Sequence, residues 1–198
     1  LFFWVFLRAA TQQMTQVPNA VSVSRPCIDL QINGVAGVDF NANELTLESW
    51  NSACQVLDQD GTAAFLPTLI TDSVESLARK LKRLAELLEG APPTGNTRAL
   101  GIHLEGPFLS PVPGYIGAHP SQHARDADLE LLKRWHDLSG GRIRIVTLAP
   151  ERDSTGACIR WLSGQGILVA AGHTDASRDQ HHSSRAIAAR SASLHLDR

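Results

Sequence analysis

Two short runs of almost uninterrupted apolar residues, Ile143-Arg144-Ile145-Val146-Thr147-Leu148 and Gly166-Ile167-Leu168-Val169-Ala170-Ala171, constrain this chain more than any other feature. A strand with one wet face alternates apolar and polar side chains. A strand that is apolar nearly throughout is covered on both faces, the habit of parallel sheets flanked by helices. From about residue 27 short apolar runs mark candidate strands at 28–32, 62–66, 99–105, 143–148 and 167–172, with a weaker one at 192–196.

Between these runs the apolar spacing changes to that of helices. The clearest helix is expected over 73–89, where Val74, Leu77, Ala78, Leu81, Leu84, Ala85 and Leu88 recur at helical intervals. Asp72 and Glu75 read as its capping box, and Gly90 with Pro92-Pro93 as its stop. A second helix is expected over 46–58, carrying Leu47, Trp50, Cys54 and Leu57 and stopping at Asp60-Gly61. A third is expected over 126–138, starting at Asp126 and burying Leu129, Leu132, Trp135 and Leu138. Fainter patterns mark 154–163 and 176–189.

Strand and helix in alternation define an α/β fold with a parallel sheet and right-handed crossovers. An open doubly wound sheet and a closed (β/α)8 barrel of the TIM type both satisfy the pattern. No G-x-G-x-x-G or Walker loop follows a strand, so a nucleotide-binding open sheet has no direct support. The polar residues gather at strand C-terminal ends, where both architectures place function. Six strands are counted, and a barrel needs two more. Pattern alone leaves the choice open.

Composition narrows the partners. The 198 residues, 43% of them hydrophobic, suffice for one sizeable core. A formal net charge of −2 offers no electrostatic footprint for nucleic acid or an anionic membrane. Arg79, Lys80, Lys82 and Arg83 fall on the expected 73–89 helix beside Glu75 and Glu86 and read as a solvated face. Cys27, Cys54 and Cys158 follow no metal or disulfide spacing, which points to a reducing compartment and a cytoplasmic location. The oily run Leu1-Phe2-Phe3-Trp4-Val5-Phe6-Leu7 is too short to span a bilayer and lacks the basic lead of a signal peptide. Residues 1–25 are expected to be a remnant of an N-terminal segment or small β domain, and 26–198 the main domain. Both ends read as truncated or frame-shifted.

Three potential metal ligands stand at strand ends: Glu105 ending 99–105, His173 after 167–172, and His195 in the weak 192–196 run. A Glu and two His form a common catalytic zinc set with a coordination position left for water. Taken singly, each reads more readily as a side chain bonded to backbone or water, and the case rests on three ligands of suitable type on three strands of one sheet. His103, two residues before Glu105, points to the same face and is either a partner orienting it or interior packing. His119 lies in a Gly/Pro-rich loop, where it could donate a hydrogen bond to a substrate carbonyl or simply face solvent. His123, His136, His181 and His182 read as surface residues.

Six segments occur in order: Ile28-Asp29-Leu30-Gln31-Ile32-Asn33-Gly34, Phe65-Leu66-Pro67-Thr68-Leu69-Ile70-Thr71, His103-Leu104-Glu105-Gly106-Pro107-Phe108, Gly117-Ala118-His119-Pro120, Val146-Thr147-Leu148-Ala149-Pro150-Glu151 and Ala171-Gly172-His173-Thr174. Together they resemble the N-terminal two-thirds of the N-acetylglucosamine-6-phosphate deacetylases of the amidohydrolase superfamily, from about residue 26 to 196. The resemblance implies a (β/α)8 barrel, incomplete here at about six of eight strands. It also implies one divalent metal ion, usually zinc with iron, manganese or cobalt as alternatives, held by Glu105, His173 and His195.

Gln31 and Asn33 stand where many amidohydrolases carry an HxH pair, which favours the one-metal form. With Ala118 and His119 they map to substrate-binding positions, His119 as the hydrogen-bond donor to the carbonyl. The implied reaction converts N-acetyl-D-glucosamine 6-phosphate to D-glucosamine 6-phosphate and acetate in amino-sugar catabolism. The implied partner is that small molecule, with a homodimer at full length.

The departures are specific. Pro26-Cys27 replaces Pro-Gly-aromatic, and Asp197-Arg198 replaces an aromatic-Asn-Ala-Met run. Ala189-Arg190-Ser191-Ala192 lacks a glycine, and the general acid/base Asp of the eighth strand has no counterpart. The chain alone is therefore expected to be inactive. The alternatives are a non-catalytic remnant and an amidohydrolase acting on another amide.

Overall fold

The computed structural model describes residues 27–90 and 95–196, with side chains to residue 188. The remnant expected at 1–25 and the Pro92-Pro93 stop lie outside the described residues. The first strand, β1 (Cys27–Ile32), is followed by a small antiparallel pair, β2 (Gly34–Val35) and β3 (Val38–Asp39). Next come α1 (Leu47–Gln59), β4 (Thr62–Ile70), α2 (Val74–Glu89), β5 (Arg98–Ala99) and β6 (Ile102–Glu105). After a long loop follow α3 (Leu129–Leu138), β7 (Ile143–Leu148), α4 (Ala157–Gly164), β8 (Leu168–Ala171) and α5 (Arg178–Leu196).

The main sheet runs β1-β4-β6-β7-β8, every neighbour parallel, with the short β5 beside β4. Strand order follows chain order and never reverses. A doubly wound sheet would reverse at a switch point, so this is the wall of an incomplete (β/α) barrel. Its outer face is apolar: Phe65, Leu69, Leu104 and Val146 are buried with Trp50, Leu77, Leu81, Trp135, Ile159 and Leu162 from the helices. The intervening residues Thr68, His103, Glu105 and Thr147 occupy the opposite face, because side chains alternate along a strand. The outer layer is tied by aromatic contacts, with Phe40, Trp50 and Phe65 clustered and Phe108 stacked on Trp135 at 5.9 Å.

Three local expectations are corrected. The run 99–105 is two strands, because the chain turns Leu100 outward and passes Gly101 at φ 150°. A side chain on Gly101 would lie 2.5 Å from the Arg142 carbonyl. The third helix begins at Leu129, capped by Asp128 accepting from Leu131 N–H at 3.0 Å, while Asp126 pairs with Arg152 instead. Residues 192–196, expected as a strand, continue α5. From Arg178 to Leu196 there is no Gly or Pro to stop a helix, and 192–196 holds no β-branched residue to favour a strand.

Helix α2 is capped one residue later than expected. Ser73 accepts from Ser76 N–H at 3.2 Å. Asp72 instead accepts from Ser73 N–H at 2.6 Å, Ser76 Oγ at 2.7 Å and Lys80 Nζ at 2.6 Å. Lys80 is therefore buried, not part of a solvated basic face. Burial works to raise the Asp72 carboxyl, but hydrogen bonds from Lys80, Ser76 and Ser73 outweigh it and hold the pKa at about 2. Since the folded value lies below the unfolded one, this contribution is complete above the unfolded pKa of about 4 and is lost as pH falls through the folded value. Asp72→Asn is expected to lower the unfolding free energy by about 1–2 kcal/mol at pH 7, the shift being discounted for the partial exposure of Asp72. The gap to wild type should close towards pH 2 in urea titrations, and a gap independent of pH would contradict this account.

Candidate metal centre

Parallel pairing sets Ile70, Glu105 and Thr147 side by side at the C-terminal ends of three adjacent strands. Beyond β8 the chain turns through His173 in the left-handed region, φ 51°, and swings its ring over Glu105. The loop after β6 brings His119 to the same place. Its Gly117, at φ 62°, passes so close to His173 that a side chain there would sit 3.2 Å from the ring. The result is a cluster of Glu105, His119 and His173 with ligand-type atoms all within 4.8 Å of one another. His173 Nε2 lies 3.1 Å from Glu105 Oε1 and His119 Nε2 lies 3.7 Å from the same oxygen.

The two imidazoles are prepared for different work by what holds their other nitrogen. His173 Nδ1–H donates to the Tyr115 carbonyl at 3.0 Å, which leaves Nε2 as the lone-pair nitrogen facing the carboxylate. A lone pair 3.1 Å from an ionised oxygen is repulsive, so a proton or a cation belongs between them. His119 is the reverse. Its Nδ1 accepts the Thr71 backbone N–H at 3.3 Å and faces Thr71 Oγ1 at 3.0 Å. A neutral ring then carries its hydrogen on Nε2 and offers a donor to the site. Thr71, at the tip of the Pro67-Thr68-Leu69-Ile70-Thr71 segment, was not singled out from the sequence. Only its place at a strand end beside Glu105 could have drawn attention to it.

Glu105 is 6% exposed. Burial works to raise its pKa, yet the facing His119 and His173 rings prevail and hold the carboxyl well below the ordinary carboxylate range. The same contact with Glu105 raises His173, against the effect of burial. Gln31 Nε2 donates to Glu105 Oε2 at 3.0 Å, which turns Oε1 toward the histidines. This donor set, one carboxylate oxygen and one imidazole lone pair with their outer contacts in place, fits a divalent cation.

His103 does not touch Glu105. Its Nδ1–H donates to the Leu30 carbonyl at 3.0 Å, and Thr147 Oγ1 donates to its Nε2 at 2.8 Å, so it braces β1 against β7 across β6. Burial lowers its pKa and keeps it neutral. Asn33 and Ala118 are exposed near the mouth of the sheet, Asn33 with its carbonyl accepting from Phe40 N–H at 2.9 Å. His195 lies near the C-terminal end of α5, not on a strand, and its side chain is outside the described residues.

The fold and the cluster together define a class: parallel α/β barrels with a metal-binding type of side-chain cluster at the C-terminal strand ends. No family model matches the chain. Among individual proteins it is 41% identical over 152 residues to an N-acetylglucosamine-6-phosphate deacetylase of Bacillus subtilis (strain 168), covering 75% of this chain and 37% of that one. It is 37% identical over 151 residues to an N-acetylgalactosamine-6-phosphate deacetylase of Shewanella sp. (strain ANA-3), covering 75% of this chain and 36% of that one. Among solved structures it superposes on an N-acetyl-D-glucosamine-6-phosphate deacetylase variant of Mycobacterium smegmatis, in complex with N-acetyl-D-glucosamine-6-phosphate. The TM-score is 0.73 at 32% identity, covering 82% of this chain and 40% of that one. The chain belongs to the N-acetylglucosamine-6-phosphate deacetylase family. It spans about two-fifths of the length of these relatives, a smaller share than the two-thirds anticipated.

Replacing His103 by Phe fills the same space but leaves the Leu30 carbonyl and the Thr147 hydroxyl without their partner. The expected loss is about 2–3 kcal/mol of unfolding free energy in urea, from two unpaired polar groups. A loss under about 0.5 kcal/mol, the scale of an ordinary surface substitution, would show that the brace carries no weight.

Proposed function

We propose that this chain carries the metal-holding half of an enzyme that hydrolyses the acetamide of N-acetyl-D-glucosamine 6-phosphate to D-glucosamine 6-phosphate and acetate. The observation that carries this reading is the division of labour in the cluster. Glu105 Oε1 and the His173 lone pair face one point, and the His119 N–H faces the same point as a donor. One divalent ion, zinc before iron, manganese or cobalt, would be held by Glu105 and His173, with His195 as the third ligand that family resemblance assigns. When bound, that ion lowers the pKa of a water for attack on the acetyl carbonyl. His119 Nε2–H donates to the carbonyl oxygen as negative charge develops there. Gln31 keeps Glu105 turned toward the histidines, and Asn33 and Ala118 line the mouth where the sugar would enter.

The carboxylate expected to hand a proton to the leaving amine has no counterpart in the 198 residues, so the chain by itself is proposed to bind metal without turnover. At full length a cytoplasmic homodimer is the proposed form. Among the described residues no helix is long and apolar enough to cross a membrane. Relatives named for both sugar epimers match the chain, and the glucosamine assignment follows the higher identity, 41% against 37%.

Zinc is expected to raise the melting temperature of the purified chain, and Glu105→Gln to remove most of that rise. A folded sample indifferent to zinc would sink the metal reading. His119→Gln should leave the zinc response intact. In a chimaera completed with the C-terminal remainder of the Bacillus relative, acetate release from N-acetylglucosamine 6-phosphate is expected, and His119→Gln should lower it by about 10²–10³-fold. A folded, zinc-stabilised chimaera that releases no acetate would overturn the deacetylase reading, and faster release from the galactosamine epimer would reassign the substrate. Steady acetate release by the 198-residue chain alone would refute the need for the missing carboxylate.

A further inference from the structure

We infer that Glu151 is a positioning residue for the metal centre, acting through the backbone that carries His173. The inference rests on the reading of Glu105 and His173 as ligands. Strands β7 and β8 pair Leu148 with Ala171 as their last partners. Each chain then leaves the sheet, and three residues further on Glu151 and Thr174 meet. Thr174 Oγ1 donates to Glu151 Oε2 at 2.6 Å while accepting Ala176 N–H at 2.9 Å. Asp175 N–H donates to Glu151 Oε1 at 3.1 Å. Both carboxylate oxygens are thus spent on the two residues directly after His173.

His173 needs such a clamp. It is one of two non-glycine residues at positive φ among the described residues, and a histidine left free would relax toward the right-handed or extended regions. Before and at His173 the backbone is fixed by Gly172 N–H on the Leu148 carbonyl and by Ser110 N–H on the His173 carbonyl. After it, Glu151 supplies the side-chain contacts that hold the turn. Releasing that side would let the ring swing off Glu105 while the strands stay paired. Glu151 itself sits on the short 3-10 turn Pro150–Arg152 and bonds to no ligand-type atom of the cluster.

Cobalt(II) affinity of the 198-residue chain tests this directly, read by competition with a chromophoric chelator and by the visible absorption of the bound ion. Glu151→Ala is expected to weaken cobalt binding by about 10–100-fold, the range seen when an outer contact of a metal ligand is removed. Thr174→Val and Glu151→Gln, which each lose part of the clamp, should fall between Glu151→Ala and wild type. Asp153→Ala serves as a stability control. Asp153 accepts the Ile159 N–H in the first turn of α4 at 2.9 Å, so its loss should lower the melting temperature and leave cobalt affinity unchanged. Wild-type affinity and an unaltered visible band in Glu151→Ala would overturn the inference. So would an equal loss in Asp153→Ala, which would mark a general loosening. Glu105→Gln separates the two readings: if it binds cobalt as wild type does, the metal centre is misassigned and the inference falls with it. If Glu105→Gln loses cobalt while Glu151→Ala keeps it, only the inference fails.

Discussion

An ionised carboxylate held almost out of solvent at the mouth of a parallel sheet is the constraint around which the rest of this structure is arranged. Taking such a group from water costs several kcal/mol unless partners replace the lost hydration. Glu105 is 6% exposed and stays ionised because Gln31 donates to it, the His119 N–H faces it, and a proton or cation belongs between it and His173. Those three come from β1, the long loop after β6, and the turn after β8, so no single local segment can build the site. The sheet must form first in the sense of geometry, if not of time, since its register decides where each arrives.

That dependence explains why so much polar hardware lies just behind the cluster. Thr71 fixes the face that His119 presents, Tyr115 fixes the face that His173 presents, and His103 ties β1, the bearer of Gln31, to the far side of β6. The two histidines are chemically identical side chains with opposite tautomers imposed by a backbone N–H in one case and a backbone carbonyl in the other. A donor and a lone pair are thereby placed a few ångströms apart without any charged residue being needed to distinguish them. The apolar layer outside the sheet supplies the rigidity, because Leu104 and its neighbours on β6 are locked between strand and helix while His103 and Glu105 face the other way.

Much of this architecture can be read from residue order alone, and each place where the reading slips has a physical reason. The strands at 143–148 and 167–172 were visible because they are nearly all apolar, the strand at 28–32 because its apolar residues alternate, and the helix over 73–89 because its stripe is regular. The cap of that helix was misplaced by one residue since Asp72 and Ser73 are both good caps, and Lys80, one turn or more away, decides which of them is used elsewhere. The run 99–105 looked continuous, yet Gly101 must pass against the Arg142 carbonyl on a neighbouring strand. Residues 192–196, Ala-Ser-Leu-His-Leu, alternate apolar and polar in a way that suits a strand as readily as a helix end, and the uninterrupted helix from Arg178 took them. The broken run turns on a partner distant in sequence, the misplaced cap on one eight residues along, and the strand taken into α5 on the absence of any helix breaker.

The sequence by itself determined the alternation of strands and helices in a parallel α/β fold and the positions of Glu105, His119 and His173 at or beyond strand ends, because hydrophobic periodicity and turn residues act over a few neighbouring positions. Only the tertiary structure decided that His119 joins the cluster as a donor, that His103 braces strands rather than Glu105, and that Glu151 grips the turn after His173. Those outcomes depend on which backbone N–H or carbonyl lies within about 3 Å of a given nitrogen or oxygen. That distance is set by strand register and loop packing between residues far apart in the chain, where no local pattern can record it.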